Sequence, residues 1–420
     1  MKRINNNTIP VICKNIFIVF LFFWSIAQPL AVLDGVPTII RHKLFFIKNL
    51  LGVILVIYGI IIILFTLKGN SHRFINKKLL LLSLPFPVVS LFNMLLRGYG
   101  TSLEEQILYF LWPIALFAVF PAFFNNSHAQ RNGLLSIMYA NLLVLLYSII
   151  FYSGNININD WLNYGHRVHF SIMQPNIYSA SWAVIFGCSF YLFIIGKNVI
   201  KKIVLFFICV ISVIFIFLAR SESVLLFCIG SATVYVFKTT RIDIKLKAAT
   251  ICIIIAVIAT PLSGLLFDYD QLNSKVSGRI DLWSETWNFN IRDADWNDYL
   301  VGQSSFQPGS VHFTGERTGY NARRAQIDNL YFAIFLQNGV IGFILYFIPL
   351  VVMLIYLYHQ SRMSSYPEYN KYIWVISLWI GVFLASWGMD VIPSFGNVFN
   401  IFLFVACAPE IIGNNRILKS

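Results

Sequence analysis

Long apolar runs separated by short polar segments make up most of the chain. A helix that crosses a bilayer needs about 20 apolar residues, with roughly 17 to 25 tolerated. Runs of about this length cover residues 11–33, 44–67, 79–96, 107–124, 134–152, 177–196, 203–219, 224–237, 248–267, 330–358, 372–387 and 395–413. The pattern therefore predicts an all-α polytopic membrane protein with about 12 transmembrane helices.

Two of these runs have unusual lengths. The run 224–237 is short for a span, whereas 330–358 is long, and its Asn338-Gly339 pair predicts a break inside it. Pro113, Pro121 and Pro349 predict kinks, because proline cannot donate a backbone hydrogen bond within a helix. Helices are favoured over a membrane barrel, whose strands would alternate apolar and polar residues over about ten positions.

The composition agrees with a membrane location. Hydrophobic residues make up 58% of the chain and charged residues 12%, whereas a soluble domain has about 25% charged residues. A soluble fold has no place for so much apolar surface, because its exterior must still be covered by polar groups. An ordinary soluble globular domain is therefore excluded.

Lysine and arginine predict the orientation of the helices. If the N-terminus lies inside, every inner segment carries Lys or Arg, from Lys2 and Arg3 at one terminus to Arg416 and Lys419 at the other. This is the distribution expected for short cytoplasmic loops. Both termini are therefore predicted in the cytoplasm. The net charge of +13 follows from this topology and from contact with anionic lipid, and no nucleic-acid partner is expected.

Polar chemistry is concentrated on the outer side. Of the 18 acidic residues, only Asp243, Glu368 and Glu410 fall in inner segments. The one long polar stretch, 268–328, lies between the predicted ninth and tenth helices, and loops of that length are usually functional or disordered. We therefore divide the chain into helices 1–9 (1–267), a large outer loop (268–328) and helices 10–12 (329–420).

Familiar soluble-enzyme motifs are absent from the sequence. It contains no glycine-rich phosphate loop and no His-Glu-x-x-His, and its six cysteines all fall within predicted spans without metal-site spacing. No metal and no cofactor are expected. Any chemistry must therefore use a substrate that is delivered through the membrane or held in it.

Four short motifs occur in a fixed order in and after the outer loop. They are Ser277-Gly278-Arg279-Ile280-Asp281-Leu282-Trp283, Leu300-Val301-Gly302, Asp328-Asn329-Leu330-Tyr331 and Gln337-Asn338-Gly339-Val340-Ile341-Gly342. This order, just before a late transmembrane helix, resembles the O-antigen polymerase and ligase superfamily of bacterial envelope enzymes. The matched stretch covers roughly 65 residues, and the predicted topology is similar over the rest of the chain.

The resemblance implies a metal-independent glycosyltransferase of the bacterial inner membrane, acting in lipopolysaccharide or polysaccharide biosynthesis. Its donor glycan would hang on undecaprenyl pyrophosphate, and the large loop would be periplasmic. The acceptor is another lipid-linked repeat unit in polymerases and the lipid A core in ligases. Ligases normally carry His where this chain has Asp328, so polymerase is preferred. A chain-length regulator protein is a possible partner, and a lipid-linked oligosaccharide flippase or transporter is the alternative from another class.

Three residues are predicted to be catalytic. By the resemblance, Arg279 and Arg220 hold the departing pyrophosphate, and Asp328 is the base for the acceptor hydroxyl. Guanidinium suits the first role, because it is permanently charged and matches phosphate oxygens two at a time. Structural alternatives stay open: a salt bridge from Arg279 to Asp281 or Glu285, an Arg220 that only reaches the interface, and an Asp328 that caps the following helix.

Further polar residues on the outer side are predicted to bind the substrate. They are Arg323, Arg324, His166, Arg167, His169, Glu222 and Arg97. The alternative for the arginines of the large loop is an anchor on lipid headgroups. Outer loops also collect polar residues without any function, and this is the alternative for the remaining members of the set.

Overall fold

The structure is a computed structural model that describes residues 9–34, 36–66, 75–97, 103–152, 154, 157, 167–239, 295–302, 310–311, 325–326, 329–386 and 397–412. These residues are nearly all helical. In the first half the helices are α1 (Val11–Ala31), α2 (Thr38–Thr66), α3 (Lys77–Ser83), α4 (Pro85–Arg97), α5 (Leu103–Ile114), α6 (Phe120–Phe123) and α7 (Ser127–Ile150). A π-helical turn, Ala115–Val119, joins α5 to α6.

The second half continues the same architecture. Its helices are α8 (Pro175–Ile195), α9 (Val199–Leu218), α10 (Glu222–Thr239), α11 (Trp296–Val301), α12 (Leu330–Met363), α13 (Glu368–Ala385) and α14 (Val398–Ile412). The strands β1 (Ser310–Val311) and β2 (Ala325–Gln326) form a small antiparallel pair. The short helix α11 and this pair fall within the segment predicted as the large outer loop.

The described part of the chain contains nine helical segments that are long and apolar enough to cross a membrane. They are α1, α2, the α3–α4 pair, the α5–α6 pair, α7, α8, α9, α10 and α12. The predicted span 372–387 coincides with α13, which is as long as α10 but is not among these nine. The predicted span 395–413 coincides with α14, a shorter apolar helix. The predicted span 248–267 lies outside the described residues. The chain is thus an all-α, multi-pass membrane protein, and the count of twelve stays a prediction.

Hydrogen bonds between remote segments define two ends of the helical assembly. At the first, which we call the Leu33 end, Leu33 forms an isolated antiparallel bridge with Ile172, and Val168 N–H donates to Leu218 O (3.1 Å). The sequence prediction places these segments, which follow α1, α7 and α9, on the outer side. The Leu33 end therefore gathers loops that were assigned to one side of the membrane.

The opposite end, which we call the Lys371 end, gathers the loops assigned to the inner side. Asn76 Nδ2 donates to Ile411 O (2.9 Å), and Lys371 Nζ donates to Ser127 Oγ (2.8 Å). Lys371 also forms an ion pair with Glu368, with the charged atoms 2.7 Å apart. These contacts tie together the starts of α3, α7 and α13 and the end of α14.

The predicted break inside α12 occurs where the sequence placed it, whereas the break at Leu84 described below was not predicted. Gly339, inside α12, has a non-helical backbone (φ 60°, ψ −166°), which confirms the break. Between Pro113 and Pro121 the helix widens into its π-helical turn, a feature that accommodates the hydrogen bond a proline cannot make. Leu84 separates α3 from α4 just before Pro85.

Helix burial divides the assembly into a centre and a lipid-facing rim. Nearly every residue of α14 is buried. Helix α8 packs closely against it, because a Cβ added to Gly187 of α8 would lie 2.4 Å from the ring of Phe402 in α14. By contrast, α9 exposes a row of large apolar side chains that includes Ile203, Phe207 and Ile214. In a membrane such a surface faces lipid, so the protein core lies around α8 and α14.

The start of α12 corrects one structural expectation. Asn329, not Asp328, is the N-cap residue, because its Oδ1 accepts hydrogen bonds from the backbone N–H groups of Tyr331 (3.0 Å) and Phe332 (3.2 Å). Either residue type makes a good cap, so the sequence alone could not choose between neighbours. The structural alternative to the base role of Asp328, a cap on this helix, is therefore taken by Asn329 instead.

Candidate functional site

The structure describes only some of the predicted site residues. Arg167, His169, Arg220 and Glu222 are described, and Arg97 is the last residue of α4. The predictions for Asp328, Arg279, Arg323, Arg324 and His166 lie outside the described residues. The catalytic assignments of Asp328 and Arg279 therefore stay predictions.

Arg220 occupies a constrained turn at the end of α9. Arg220 N–H donates to Phe217 O (3.0 Å) and Ser221 N–H donates to Ile216 O (3.5 Å). This pair of bonds is the Schellman helix ending, whose left-handed position is usually glycine. Arg220 holds that position with φ 49°, at a cost of about 1–2 kcal/mol for a residue with a side chain. Backbone strain of this kind recurs at active sites and ligand-binding sites.

The segment 167–169 packs against this turn. Val168 N–H donates to Leu218 O (3.1 Å), which places Arg167 and His169 beside the α9–α10 connection. The ring Nδ1 of His169 contacts the carbonyl oxygen of Ile172. An imidazole that donates from Nδ1 keeps Nε2 free of its proton when neutral, so the ring has an acceptor nitrogen available.

Four predicted site residues are thus brought to one place at the Leu33 end. We call Arg167, His169, Arg220 and Glu222 the Arg220 cluster. The first three are half-buried, and Glu222, the first residue of α10, is exposed. Two guanidinium groups can neutralise a phosphate or pyrophosphate, and the imidazole can accept or donate a proton. In the sequence, Arg167 and His169 lie in one predicted outer segment and Arg220 and Glu222 in another. Only the fold brings the two segments together.

A second polar region forms where α11 docks on the break in α12. A Cβ added to Gly302 (φ 85°) would lie 2.3 Å from the carbonyl carbon of Gln337. One added to Gly339 (φ 60°) would lie 2.4 Å from the carbonyl carbon of Leu300. The two backbones are therefore in direct contact, and we call segments 300–302 and 337–339 the glycine clasp.

Buried polar side chains from α4 and α5 hold the glycine clasp. Asn93 Nδ2 donates to Val301 O (2.6 Å), and Tyr109 OH donates to Gln337 Oε1 (3.2 Å). Nearby on the same two helices, Gln106 Nε2 donates to Ser90 Oγ (3.1 Å). The sequence analysis missed these residues. The available signal was the presence of amide side chains in otherwise apolar runs, because polar groups inside a membrane are expensive and often functional.

The side chain of Asn338 explains why position 342, just after the helix break, is a glycine. A Cβ on Gly342 would lie 2.0 Å from the Cβ of Asn338, so the Asn338 side chain lies directly over Gly342. Asn338 is 2% exposed, and its Nδ2 has no hydrogen-bond partner among the residues that the structure describes. A buried donor without an acceptor is costly in a folded protein. Within the described part of the chain, the break therefore presents a buried amide donor without an acceptor.

The glycine clasp lies at some depth from the Leu33 end. Leu330 N–H donates to Ser386 O (3.0 Å), at the end of α13 remote from Lys371. At 1.5 Å per helical residue, Gly339 lies about 14 Å along α12 from this point. The rest of α12, from Gly339 to Met363, is about 36 Å long and can by itself cross a bilayer core of about 30 Å, so the clasp lies toward the Leu33 end of this helix.

Comparison with known proteins gives no family for this chain. No family model matches it, and no curated protein matches it. The Arg220 cluster and the glycine clasp are therefore the guides to its function.

Proposed function

We propose that this chain is an O-antigen or polysaccharide polymerase of the bacterial inner membrane. It joins undecaprenyl-pyrophosphate-linked oligosaccharide repeat units on the periplasmic face. In this proposal about twelve helices cross the membrane, both termini are cytoplasmic, and the Leu33 end faces the periplasm. A chain-length regulator is a partner consistent with such an activity.

One observation carries the proposal: two of the motifs behind the resemblance are in direct contact. Leu300-Val301-Gly302 packs on Gln337-Asn338-Gly339, although the two lie far apart in the sequence. Gly302 and Gly339 are thereby given one physical cause, because each makes room for the other motif's backbone. Motifs that meet in this way form one structural unit, as expected for parts of one site.

The Arg220 cluster supports the chemistry of this proposal. In the reaction, the acceptor hydroxyl oxygen attacks the anomeric carbon of the donor glycan and a new glycosidic bond forms. The bond from that carbon to the pyrophosphate oxygen breaks, and undecaprenyl pyrophosphate leaves with the bonding electron pair. The hydroxyl proton passes to a base, for which Asp328 is the proposed residue. Inversion at the anomeric carbon follows from a single displacement.

Charge neutralisation is the proposed role of the arginines. Negative charge grows on the pyrophosphate as the bond breaks, so cations held in place stabilise the transition state more than the bound substrate. Arg220 is held rigidly by its turn, with Arg167 on the adjoining segment. Arg279 is the proposed third cation. Arg97, Arg323 and Arg324 would attract the lipid-linked anion to this side of the membrane.

A second candidate function is a flippase for lipid-linked oligosaccharides. The observation that favours it is the break in α12 at Gly339, together with the buried amide of Asn338 beside it. Interrupted transmembrane helices form the binding sites of many transporters. A third candidate function is a ligase that transfers polymer to the lipid A core. Asp328 argues against it, because ligases normally carry His at this position.

Deletion of the gene in its own host distinguishes these functions on a lipopolysaccharide gel. Loss of the polymerase leaves a core that carries a single repeat unit without a ladder. Loss of a ligase leaves bare core and polymer stranded on its lipid carrier, and loss of a flippase leaves bare core with repeat units trapped on the cytoplasmic side. An unchanged ladder would contradict all three.

Substitution of Arg220 tests the proposed site. Arg220→Gly removes the cation but supplies the residue that the left-handed turn prefers. We expect the melting temperature to be kept or raised, whereas the ladder-forming activity falls by about 10²-fold or more, as for other charge-stabilising groups. Arg220→Lys should retain part of the activity, because the charge remains without the paired geometry.

Lys201→Ala is the matched control for the removal of a cation. Lys201 is exposed in the first turn of α9, at the opposite end of the helix from Arg220. Its substitution should leave the ladder unchanged. If Arg220→Gly gave a normal ladder at a normal protein level, Arg220 would have no part in the reaction.

A further inference from the structure

We propose that Phe170 is a positioning residue of the Arg220 cluster: it holds the His169 imidazole so that Nε2 accepts a hydrogen bond from a hydroxyl of the sugar that the bound pyrophosphate carries. The inference rests on the proposed function and adds to it the residues that recognise the sugar next to the phosphate. It concerns binding of the donor and leaves Asp328 as the proposed base.

The backbone is strained at two positions that flank one hydrogen bond. Among the residues that the structure describes, Phe170 (φ 48°) and Arg220 (φ 49°) are the two that have positive φ angles without being glycine. Each lies two residues after a partner in the bond from Val168 N–H to Leu218 O (3.1 Å). Because a side chain makes this conformation unfavourable, surrounding contacts must maintain it at both positions. The strain is therefore concentrated where the two segments of the Arg220 cluster meet.

Phe170 lies in a tight turn that begins at His169. Ile172 N–H donates to His169 O (3.1 Å), which closes a four-residue turn with Phe170 as its first central residue. Turns with a positive φ at this position are dominated by glycine, asparagine and aspartate. Phenylalanine is therefore an unusual residue here, and the contacts of its ring supply the reason.

The Phe170 ring packs against side chains from three helices. Its centroid lies 5.5 Å from that of Tyr152 just after α7, 6.0 Å from that of Tyr178 in α8 and 5.9 Å from that of Phe215 in α9. Trp182 of α8 stacks on Phe215, with the centroids 4.6 Å apart. Aromatic pairs stabilise a fold beyond the area that they bury. These contacts therefore offset the cost of the left-handed backbone.

Hydrogen bonds fix the rest of the segment 167–173. Ser171 Oγ donates to Ser148 O of α7 (3.0 Å), and Met173 N–H donates to Val32 O just after α1 (2.8 Å). With the aromatic contacts, these bonds hold the turn from several sides. The positions of its carbonyl groups are thus set by the fold.

The turn determines which nitrogen of His169 is available to a ligand. The ring Nδ1 contacts the carbonyl oxygen of Ile172, and a carbonyl oxygen only accepts, so Nδ1 carries the proton. In the neutral ring, Nε2 is then an acceptor and cannot donate. An ionised phosphate has no proton to donate, whereas a sugar hydroxyl has one. The sugar is therefore the part of the substrate that matches Nε2.

The cations and this acceptor lie within reach of one ligand. At most about 7 Å of chain separates Arg167 from His169, and Val168 between them bonds to the connection that carries Arg220. In a glycosyl pyrophosphate the sugar ring is bonded directly to the phosphate, so its hydroxyls lie close to the phosphate oxygens. The Arg220 cluster thus offers guanidinium groups for the phosphate and one imidazole acceptor for the sugar.

Binding of two probes to the full chain in phosphatidylglycerol nanodiscs tests the role of His169. The probes are farnesyl diphosphate and farnesyl diphosphate that carries glucose on its terminal phosphate. His169→Phe keeps an aromatic ring but removes the acceptor. We expect it to weaken binding of the glucosyl probe by about fivefold, the effect of one net hydrogen bond, and to leave farnesyl diphosphate unchanged. Equal weakening of both probes would place His169 on the phosphate and overturn the proposal, and so would unchanged binding of both.

Substitution of Phe170 tests its positioning role. Phe170→Gly removes the ring but supplies the residue that the turn prefers, so the chain stays folded while the Ile172 carbonyl is no longer fixed. We expect the same selective loss of the glucosyl probe as in His169→Phe. The nitrogen NMR signals of the His169 ring, assigned by their absence in His169→Phe, should shift from the Nδ1–H tautomer toward a mixture. Unchanged binding and an unchanged tautomer in Phe170→Gly would remove Phe170 from the proposal.

Three further variants serve as comparisons. Phe170→Tyr keeps the ring contacts and should bind both probes as the wild type does. Phe207→Ala removes a ring from the lipid-facing side of α9 and should also leave both probes unchanged. Arg220→Gly should weaken both probes, because both carry the diphosphate. A selective loss of the glucosyl probe in Phe207→Ala would mean that any lost ring has this effect, and would contradict a specific role of Phe170.

The outcomes separate this inference from the proposed function. A core with a single repeat unit in the deletion strain, together with equal weakening of both probes in His169→Phe, would reject the sugar contact alone. Selective loss of the glucosyl probe together with an unchanged ladder would reject the polymerase and leave the glycosyl pyrophosphate site.

Discussion

Two glycines determine how close the outer segment comes to the membrane helix. Gly302 and Gly339 both adopt positive φ angles, 85° and 60°, and each faces the other segment's backbone. Any side chain at either position meets main-chain atoms, which cannot rotate away. We therefore expect that one methyl group added at either glycine separates the two segments of the glycine clasp.

Gly339→Ala is expected to destabilise the protein by more than about 2 kcal/mol. The reason is the sum of a backbone conformation essentially confined to glycine, about 1–3 kcal/mol, and overpacking, typically about 1–3 kcal/mol. Thermal unfolding in detergent, followed by fluorescence-detected size exclusion, measures the effect.

Gly230→Ala is the control for this prediction. Its added Cβ would meet Leu384 Cδ1 at 2.6 Å, the far end of a flexible side chain. Because that methyl group can move aside, a smaller loss is expected. Equal melting temperatures for the two variants would show that the clasp is not tightly packed.

Elements remote in the sequence are joined by single amide-to-carbonyl bonds in both halves of the membrane domain. Asn93 on α4 bonds to Val301 O at the end of α11, and Asn76 before α3 bonds to Ile411 O near the end of α14. Such bonds fix the positions of helix ends, which helix propensity alone leaves undetermined. The position of α11 thus depends on a side chain from another helix.

Asn93→Leu should release α11 from α4 while the membrane helices stay folded. Leucine has a similar size but cannot donate to Val301 O. We expect hydrogen exchange of the amides of residues 298–302 to speed up by about fivefold or more, because one net hydrogen bond is worth about 1 kcal/mol. Mass spectrometry of the labelled peptide gives the readout.

Asn76→Leu provides the comparison, since it removes a bond of the same type at the Lys371 end. It should leave exchange in α11 unchanged. Faster exchange of α11 in both variants would mean that the substitutions loosen the whole protein rather than one contact.

The whole molecule has two ends that differ in their connections and charge. The Leu33 end carries the Arg220 cluster, and the Lys371 end gathers Asn76, Ser127 and Lys371. If the former faces the periplasm, the lysine-containing connections face anionic lipid in the cytoplasmic leaflet. The same orientation follows from the loop charges alone.

Cysteine labelling in intact cells tests this orientation. In a variant without the native cysteines, Glu222→Cys should react with a membrane-impermeant maleimide in intact cells. Lys201→Cys should react only after the inner membrane is permeabilised. Both positions are exposed, so access to the reagent depends on their side of the membrane. The reverse pattern would invert the topology.

Much of the fold could be predicted, because membrane insertion is governed by local sequence. Apolar runs marked the positions of α1, α2, α7, α8, α9 and α10, and Asn338-Gly339 marked the break in α12. Lipid imposes the same length requirement on every span, so a run can be recognised without knowledge of its neighbours. The exact cap of α12 could not be assigned, because Asp328 and Asn329 offer equivalent capping chemistry.

The candidate site was predictable only in pieces. The sequence identified Arg167, His169, Arg220 and Glu222 from their position in outer segments. It gave no indication that Val168 bonds to Leu218, and the buried amides of α4 and α5 were missed. Those amides lie in apolar runs where one polar residue hardly changes the average hydropathy.

The sequence by itself determined the membrane class, most helix positions and the break at Gly339, because hydrophobic length and backbone freedom are local properties. The tertiary structure alone decided that Gly302 meets Gly339, that Asn93 holds α11, and that Arg167 lies beside the Arg220 turn. These contacts join residues from helices far apart in the chain. In lipid, helix pairing depends on the shapes of small residues and on isolated polar bonds rather than on a hydrophobic pattern, and such contacts leave no periodic signal in the sequence.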